Sequence, residues 1–352
     1  MHGAWKWLDG LQSGKMVMHF ATGGKPFINL KITKITWIQV RLRVKYNVRK
    51  GKVNIALYGC RCIKNRNENM KRGLIMEGGA MRGMFTAGVI DVMMEHNIEY
   101  DGAIGVSAGA VFGCNYKSRQ PGRVIRYNAA YCTNPHYAGI RTLVKTGDIF
   151  GEQFCYHDVP DRLDPFDYEA YRKNPMEFYV VATEVKTGEP VYRRVDVCDK
   201  EGLQWLRASA SMPLVSNIVT IGDHEMLDGG IGDSIPVQYF EGLGYDRNVV
   251  ILTRPRGYCK QKNKVMPVVR MRLRKYPKMI EAMSNRHDRY NATMDDIIKQ
   301  EREGKLFVIR PPKAIDVSPV ERDRQKLLSA YRMGRETMKQ QMRALQEYLS
   351  ER

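Results

Sequence analysis

This chain of 352 residues is poor in the features that mark membrane-spanning, secreted or metal-binding proteins. No apolar run approaches the roughly 20 residues that a transmembrane helix requires. Residues 1–25 also lack the apolar core of a signal peptide. The seven cysteines (Cys60, Cys62, Cys114, Cys132, Cys155, Cys198 and Cys259) are odd in number and scattered, and no pair has zinc-site spacing. Reduced thiols in a cytoplasmic protein are the expectation, with peripheral membrane contact allowed. Histidine is scarce as well, with seven residues, and no internal repeat or low-complexity segment is evident. The 43% hydrophobic content suffices for a large core, most simply one main α/β domain with additions.

Acidic residues are missing in two places. Residues 1–72 hold 16 Lys and Arg against only Asp9 and Glu68, so +14 of the net charge of +19 lies there and the other 280 residues carry +5. No nucleic-acid-binding motif accompanies this charge, so no nucleic-acid partner is expected. Residues 1–69 are read as a basic accessory extension, or as sequence ahead of a natural start at Met70. The alternation of Ile38, Val40, Leu42, Val44, Tyr46 and Val48, then Lys50-Gly51-Lys52 and Val53, Ile55 and Leu57, suggests a hairpin within it. The second acid-free segment, Arg254 to Lys278, has ten Lys and Arg interspersed with Val265, Met266, Val268, Val269, Met271, Leu273 and Tyr276. That mixture suits contact with anionic lipid headgroups or an acidic substrate; a solvated loop and helix is the plain alternative.

Against this background, Gly105-Val106-Ser107-Ala108-Gly109 stands out. It follows a short apolar strand pattern at 102–106 and precedes a small-residue helix pattern at 108–118. A serine at a strand-to-helix corner, with glycine two positions away on each side, has the pattern of a nucleophile elbow. Upstream, the strand-like Gly73-Leu74-Ile75-Met76 runs into Glu77-Gly78-Gly79-Ala80-Met81-Arg82-Gly83 and then a helix pattern. A glycine loop at a helix start offers backbone N–H donors to an oxyanion or a phosphate. Its spacing fits neither the P-loop nor Gly-x-Gly-x-x-Gly, which argues against a nucleotide site. Downstream, Leu227-Asp228-Gly229-Gly230 follows the strand-like stretch 217–222. With little steric cover, Asp228 can approach another element closely, as a base must. Taken singly, Asp228 also fits an ordinary Asx turn and the serine motif an ordinary loop.

Together, in this order, the three motifs resemble the patatin-like phospholipase family, whose pattern is Asp-Gly-Gly-Gly-x-Arg-Gly, then Gly-x-Ser-x-Gly, then Asp-Gly-Gly or Asp-Gly-Ala. Ala208-Ser209-Ala210-Ser211-Met212-Pro213 is similar to the segment preceding that family's aspartate. The likeness covers roughly residues 71 to 255 and implies a three-layer α/β/α fold with a mostly parallel central sheet, here with a C-terminal helical addition at 256–352. It implies a catalytic Ser107–Asp228 dyad, with Asp228 as base and the amides of Gly78, Gly79 and Ala80 as oxyanion hole. Glu77, Arg82, Gly83, Gly105, Gly109, Gly229 and Gly230 would support these motifs. Ala80 stands where the family has a third glycine, a departure that disfavours positive φ there. Arg82 would steady the loop or meet a lipid phosphate, or serve as a salt-bridged helix-start arginine.

The resulting expectation is a serine acyl hydrolase, a phospholipase A or lipid acyl esterase. It would need no metal or organic cofactor and would take a lipid or acyl-ester substrate. An acyltransferase on the same dyad and a non-catalytic lipid-binding protein are the alternatives. A Ser-His-Asp triad with Asp228 as the acid would have to use His287, the one histidine after it, in a charged stretch that reads as a solvated helix face. Strand patterns fall at 73–76, 102–106, 178–184, 191–195, 217–222, 248–253 and 306–310. Helix patterns fall at 83–96, 108–118, 121–132, 201–210, 235–243, 278–303 and 319–350.

Overall fold

The computed structural model describes residues 70–350 throughout and, within residues 1–69, the backbone of five strands. These are β1 (Trp5–Leu8), β2 (Lys15–Met18), β3 (Leu30–Thr33), β4 (Gln39–Arg49) and β5 (Lys52–Ile63). β4 and β5 pair antiparallel with Arg49 opposite Lys52, as the alternating pattern suggests. β1 pairs with β4, and β2 with β3. The remainder of this extension lies outside the described residues.

Lys71–Glu351 forms a separate compact unit. Its eight-stranded sheet comprises β6 (Lys71–Met76), β7 (Gly102–Val106), β8 (Glu177–Glu184), β9 (Pro190–Arg194), β10 (Val219–Ile221), β11 (His224–Asp228), β12 (Tyr245–Ile251) and β13 (Leu306–Ile309). The strands bond in the order β10-β11-β8-β7-β6-β12-β13, with β9 also on β8. β8, β7, β6, β12 and β13 run parallel, whereas β9, β10 and β11 join antiparallel.

Helices α1 (Gly83–Glu95), α2 (Ala108–Lys117), α3 (Arg123–Tyr131), α4 (Ile140–Thr146), α5 (Tyr168–Lys173) and α6 (Lys200–Ser209) fall between the first strands. Five more follow: α7 (Val237–Gly242), α8 (Met266–Arg272), α9 (Pro277–Ser284), α10 (Arg286–Arg302) and α11 (Arg324–Ser350). The strand period of two explains the three layers. In β6, Leu74 and Met76 point into a core with Phe85, Phe112, Leu206 and Met338, from α1, α2, α6 and α11. Ile75 points the other way, into a core with Val237, Phe240, Met294 and Ile297, from α7 and α10. Strand segments covered on both faces are apolar throughout, as residues 73–76 of β6 and the whole of β7 are.

α11 crosses α1 at close range. A Cβ on Gly88 would strike the Tyr331 carbonyl, and one on Gly334 the Phe85 carbonyl. Tyr331 donates to Asp91 at 2.7 Å, and Arg335 makes two 2.8 Å bonds to Glu95. Two expectations need correction. The helix pattern at 278–303 breaks at Asn285 into α9 and α10, and stretch 217–222 yields only the three-residue β10. The strand β11, α4, α5, α8 and a π-helical turn at Phe154–Leu163 were not anticipated. Among the described residues, no helix is long and apolar enough to cross a membrane.

Candidate active site

Ser107 sits where β7 ends and α2 begins, with φ 55° and ψ −121°. This left-handed conformation costs a side-chain-bearing residue about 1–3 kcal/mol and persists only where surrounding bonds fix it. Here the Ser107 amide donates to Ser209 Oγ at 2.8 Å, while its carbonyl accepts from the amides of Ala110 (2.9 Å) and Val111 (3.0 Å). The flanking glycines are steric requirements. A Cβ at Gly105 would meet the Gly109 carbonyl, and one at Gly109 the Met76 carbonyl.

Sheet register brings Asp228 to this corner. β7 pairs with Glu177–Val181 of β8 and stops with Val106 opposite Val181. β9 occupies the other edge of β8 from Tyr179 to Thr183. β11 therefore takes up the vacated β7 side, with Asp228 opposite Ala182. The end of β11 thus meets the end of β7 head-on. Asp228 closes a strand, rather than following the 217–222 stretch directly as the sequence suggested. Its Oδ2 accepts the Ser107 hydroxyl at 2.7 Å and its Oδ1 the Gly230 amide at 2.8 Å. Gly229 lies against the Val181 carbonyl, where a Cβ would not fit. Both Ser107 and Asp228 are buried. Burial pushes the Asp228 carboxyl above its ordinary range, while Arg286 and the hydrogen bonds from Ser107 and Gly230 pull it back part of the way.

The glycine loop packs on the elbow: a Cβ on Gly78 would lie 2.9 Å from the Val106 carbonyl and 3.0 Å from Ser107 Cβ. Among the described residues, the amides of Gly78, Gly79 and Ala80 have no acceptor, while the Arg82 amide caps Gly79 at 3.1 Å. Ala80 does adopt the disfavoured conformation, with φ 47°. Glu77 is buried and fully engaged: Oε2 accepts from the Thr253 amide at 2.5 Å, and Oε1 from Tyr290 OH at 2.8 Å. Gly83 lies under Phe112. Arg82 forms no helix-start salt bridge among the described residues.

No described histidine is hydrogen-bonded to Ser107 or Asp228. His224 meets Glu184 at 2.9 Å; His287 meets the Ser284 carbonyl at 3.0 Å and Asp288 at 3.3 Å. The stretch around His287 is solvated only in part: Asn285, Asp288 and Arg289 are exposed, whereas Arg286 and Tyr290 turn toward Gly230 and Glu77. The apolar positions Tyr290, Met294 and Ile297, at helical spacing among the charges, were the available signal. Ser209 was also missed as a positioning residue, although the segment containing it was singled out. An apolar cavity of about 130 Å³ opens at Ser107 and runs past Met81, Val111, Phe112, Tyr127 and Leu206.

Residues 74–241 match the family profile of patatin-like phospholipases, and residues 276–350 match a domain of unknown function, DUF6363. Residues 74–241 are thus patatin-like in sequence. The Escherichia coli K12 protein YjjU is 29% identical over 191 residues, 52% of each chain. The Caenorhabditis elegans patatin-like phospholipase domain-containing protein ZK370.4 is 25% identical over 49% of this chain and 13% of its own length. Lysophospholipase nte1 of Aspergillus fumigatus is 27% identical over 49% of this chain and 11% of its own length. These matches therefore span about half of the bacterial relative and a small part of the eukaryotic ones. Among solved structures, VipD from Legionella pneumophila aligns over 87% of this chain and 70% of its own, at 13% identity and a TM-score of 0.40.

Proposed function

We propose that this protein is a serine acyl hydrolase for lipid esters that works through a Ser107–Asp228 dyad. The observation that carries the reading is the direct 2.7 Å bond from the Ser107 hydroxyl to Asp228 Oδ2. Ser107 Oγ attacks the ester carbonyl carbon as its proton passes to Asp228. The resulting oxyanion takes hydrogen bonds from the free amides of Gly78, Gly79 and Ala80. Collapse of the tetrahedral intermediate breaks the bond to the leaving alcohol, which receives the proton from Asp228 and departs. Water, deprotonated by Asp228, then attacks the acyl-serine; the acyl–oxygen bond breaks, Asp228 returns the proton to Ser107 Oγ and the fatty acid leaves. The cavity at Ser107 suits an acyl chain, and no step calls for a metal or organic cofactor.

Residues 254–278 support peripheral contact with an anionic membrane. α8 buries Met266 and Val269 while Val265, Val268 and Met271 stand exposed, among Lys262, Lys264, Arg270, Arg272, Arg274 and Lys275. Apolar side chains ringed by cations favour insertion at an anionic lipid surface.

Hydrolysis of short- and long-chain acyl esters by wild type, Ser107→Ala, Asp228→Asn, His224→Ala and His287→Ala tests the dyad. The first two variants are expected to lose roughly a thousandfold or more in kcat, and the histidine variants to keep turnover. Inactive His287→Ala protein would restore the triad reading.

A further inference from the structure

Four cations gather beside the dyad, outside the lining of the apolar cavity. Lys260 feels the charge of Arg286, Arg82 and Arg254, as well as that of Glu77. Arg286 stands over Gly230, where a Cβ would lie 2.8 Å from its Nη2 and 3.0 Å from Asp228 Oδ1. Two tyrosines hold the neighbouring cations: Arg254 lies 4.4 Å from the Tyr258 ring centre and Lys260 4.8 Å from that of Tyr290.

The charge here does not balance. Glu77 and Asp228 are the carboxylates these cations feel, and both are committed to hydrogen bonds with Thr253, Tyr290, Ser107 and Gly230. Among the described residues, no carboxylate comes within ion-pair distance of any of the four. Other partly or fully buried arginines are paired, Arg207 with Asp148 and Glu152 and Arg123 with Asp164. Arg82 Nε and Arg286 Nε are buried with no hydrogen-bond partner among the described residues. Burial and the adjoining cations push the Lys260 ammonium down to about 8. All four are half-buried, and cations drawn part-way out of water are ordinarily paired because unpaired ones carry a desolvation penalty. An anion with several acceptor oxygens would relieve this penalty, and a phosphate matches guanidinium and ammonium donors. Arg286 also lines a second cavity, of about 370 Å³, with Arg289 and Tyr290 and with the acidic Glu189 and Asp233, the latter held by Tyr192 OH at 2.9 Å.

We propose that Arg82, Arg254, Lys260 and Arg286 form a phosphate subsite beside Ser107 and Asp228, so that the preferred ester carries a phosphate on its alcohol side. This rests on the hydrolase reading above. Three of the four residues lie beyond the patatin-like span at 74–241, and Arg286 belongs to the DUF6363 span at 276–350. The C-terminal region thereby becomes part of the substrate site.

The test compares a lysophosphatidylglycerol with the monoacylglycerol of the same acyl chain, using the full chain as wild type, Lys260→Gln and Arg286→Gln. In each variant the ratio of kcat/KM for phosphate-bearing over neutral ester is expected to fall roughly tenfold or more, mainly through KM. A ratio within about twofold of wild type in both variants overturns the proposal. Calorimetric titration of Ser107→Ala protein with glycerol 3-phosphate and with inorganic phosphate reads the subsite without turnover. Binding of both, weakened by Arg286→Gln, supports it. Inorganic phosphate binding with an unchanged ester ratio would assign the cluster to free phosphate and overturn the substrate claim. If wild type cleaves neither ester yet binds glycerol 3-phosphate, the hydrolase reading fails and the subsite stands; cleavage without phosphate binding defeats the subsite alone.

Discussion

Ser209 holds Ser107 and the aspartate loop at once: its hydroxyl accepts the Ser107 amide at 2.8 Å, and its carbonyl accepts the Gly229 amide at 3.2 Å. Ser211 adds a third tie by accepting the Asp228 amide at 2.8 Å. The end of α6 therefore fixes the distance between serine and aspartate. Ser209→Ala leaves the buried Ser107 amide without its acceptor, which costs about 1–3 kcal/mol. Urea unfolding should register that loss, and kcat should fall by roughly tenfold or more because the strained elbow relaxes. Unchanged kcat in a destabilised variant would reduce Ser209 to a structural role.

Ala80 carries backbone strain at a position that its chemistry does not require. At φ 47° its Cβ disfavours the conformation that the loop adopts, by about 1–2 kcal/mol. Ala80→Gly relieves this, partly offset by the greater freedom of glycine in the unfolded chain, for a net gain of up to about 1 kcal/mol. Urea unfolding checks the sign, and esterase activity should be retained or raised.

The pH profile should bear the mark of burial at Asp228. The base acts when ionised, and its raised pKa moves the acid limb of kcat/KM above the ordinary aspartate value, which is about 3.9. Activity accordingly rises with pH through that displaced limb. Arg286 favours the ionised form, so Arg286→Gln should shift the limb further toward neutrality. A shift toward acid in that variant would contradict the assignment.

Asp91 gives a stability effect of opposite sign to most carboxylates. Burial raises its pKa from 3.8 to about 6, against the pull of Tyr331 and the Gly122 amide. Its folded pKa exceeds its unfolded one, so its charge opposes folding above that window. Its contribution falls as pH rises from about 4 to 6, by up to about 3 kcal/mol. Asp91→Asn keeps an acceptor for Tyr331 and Gly122, so the stability of the variant relative to wild type should rise across this interval. Urea unfolding at several pH values measures the difference.

Much of the site was legible because its constraints are local. Gly105 and Gly109 are glycine because the corner folds onto its own backbone, and the apolar runs of β6 and β7 follow from burial on both faces. What was hidden depends on register and distant contacts. β11 is five residues long and opens on His224 and Glu225, so little in it marks a strand, and its place is set by where β7 releases the edge of β8. Arg286 stands in a charged stretch that reads as a solvated face, and Lys260 in one that fits either lipid contact or a solvated loop and helix. Their partial burial goes with Tyr290 reaching Glu77 across 213 residues, a contact no sequence window contains.

The most direct measurement is fluorophosphonate labelling followed by peptide mapping of the adduct. A single adduct on Ser107, absent from Ser107→Ala protein and slowed by roughly a hundredfold or more in Asp228→Asn, is the predicted result. An adduct on another residue, or an undiminished labelling rate in Asp228→Asn, would contradict the Ser107–Asp228 dyad.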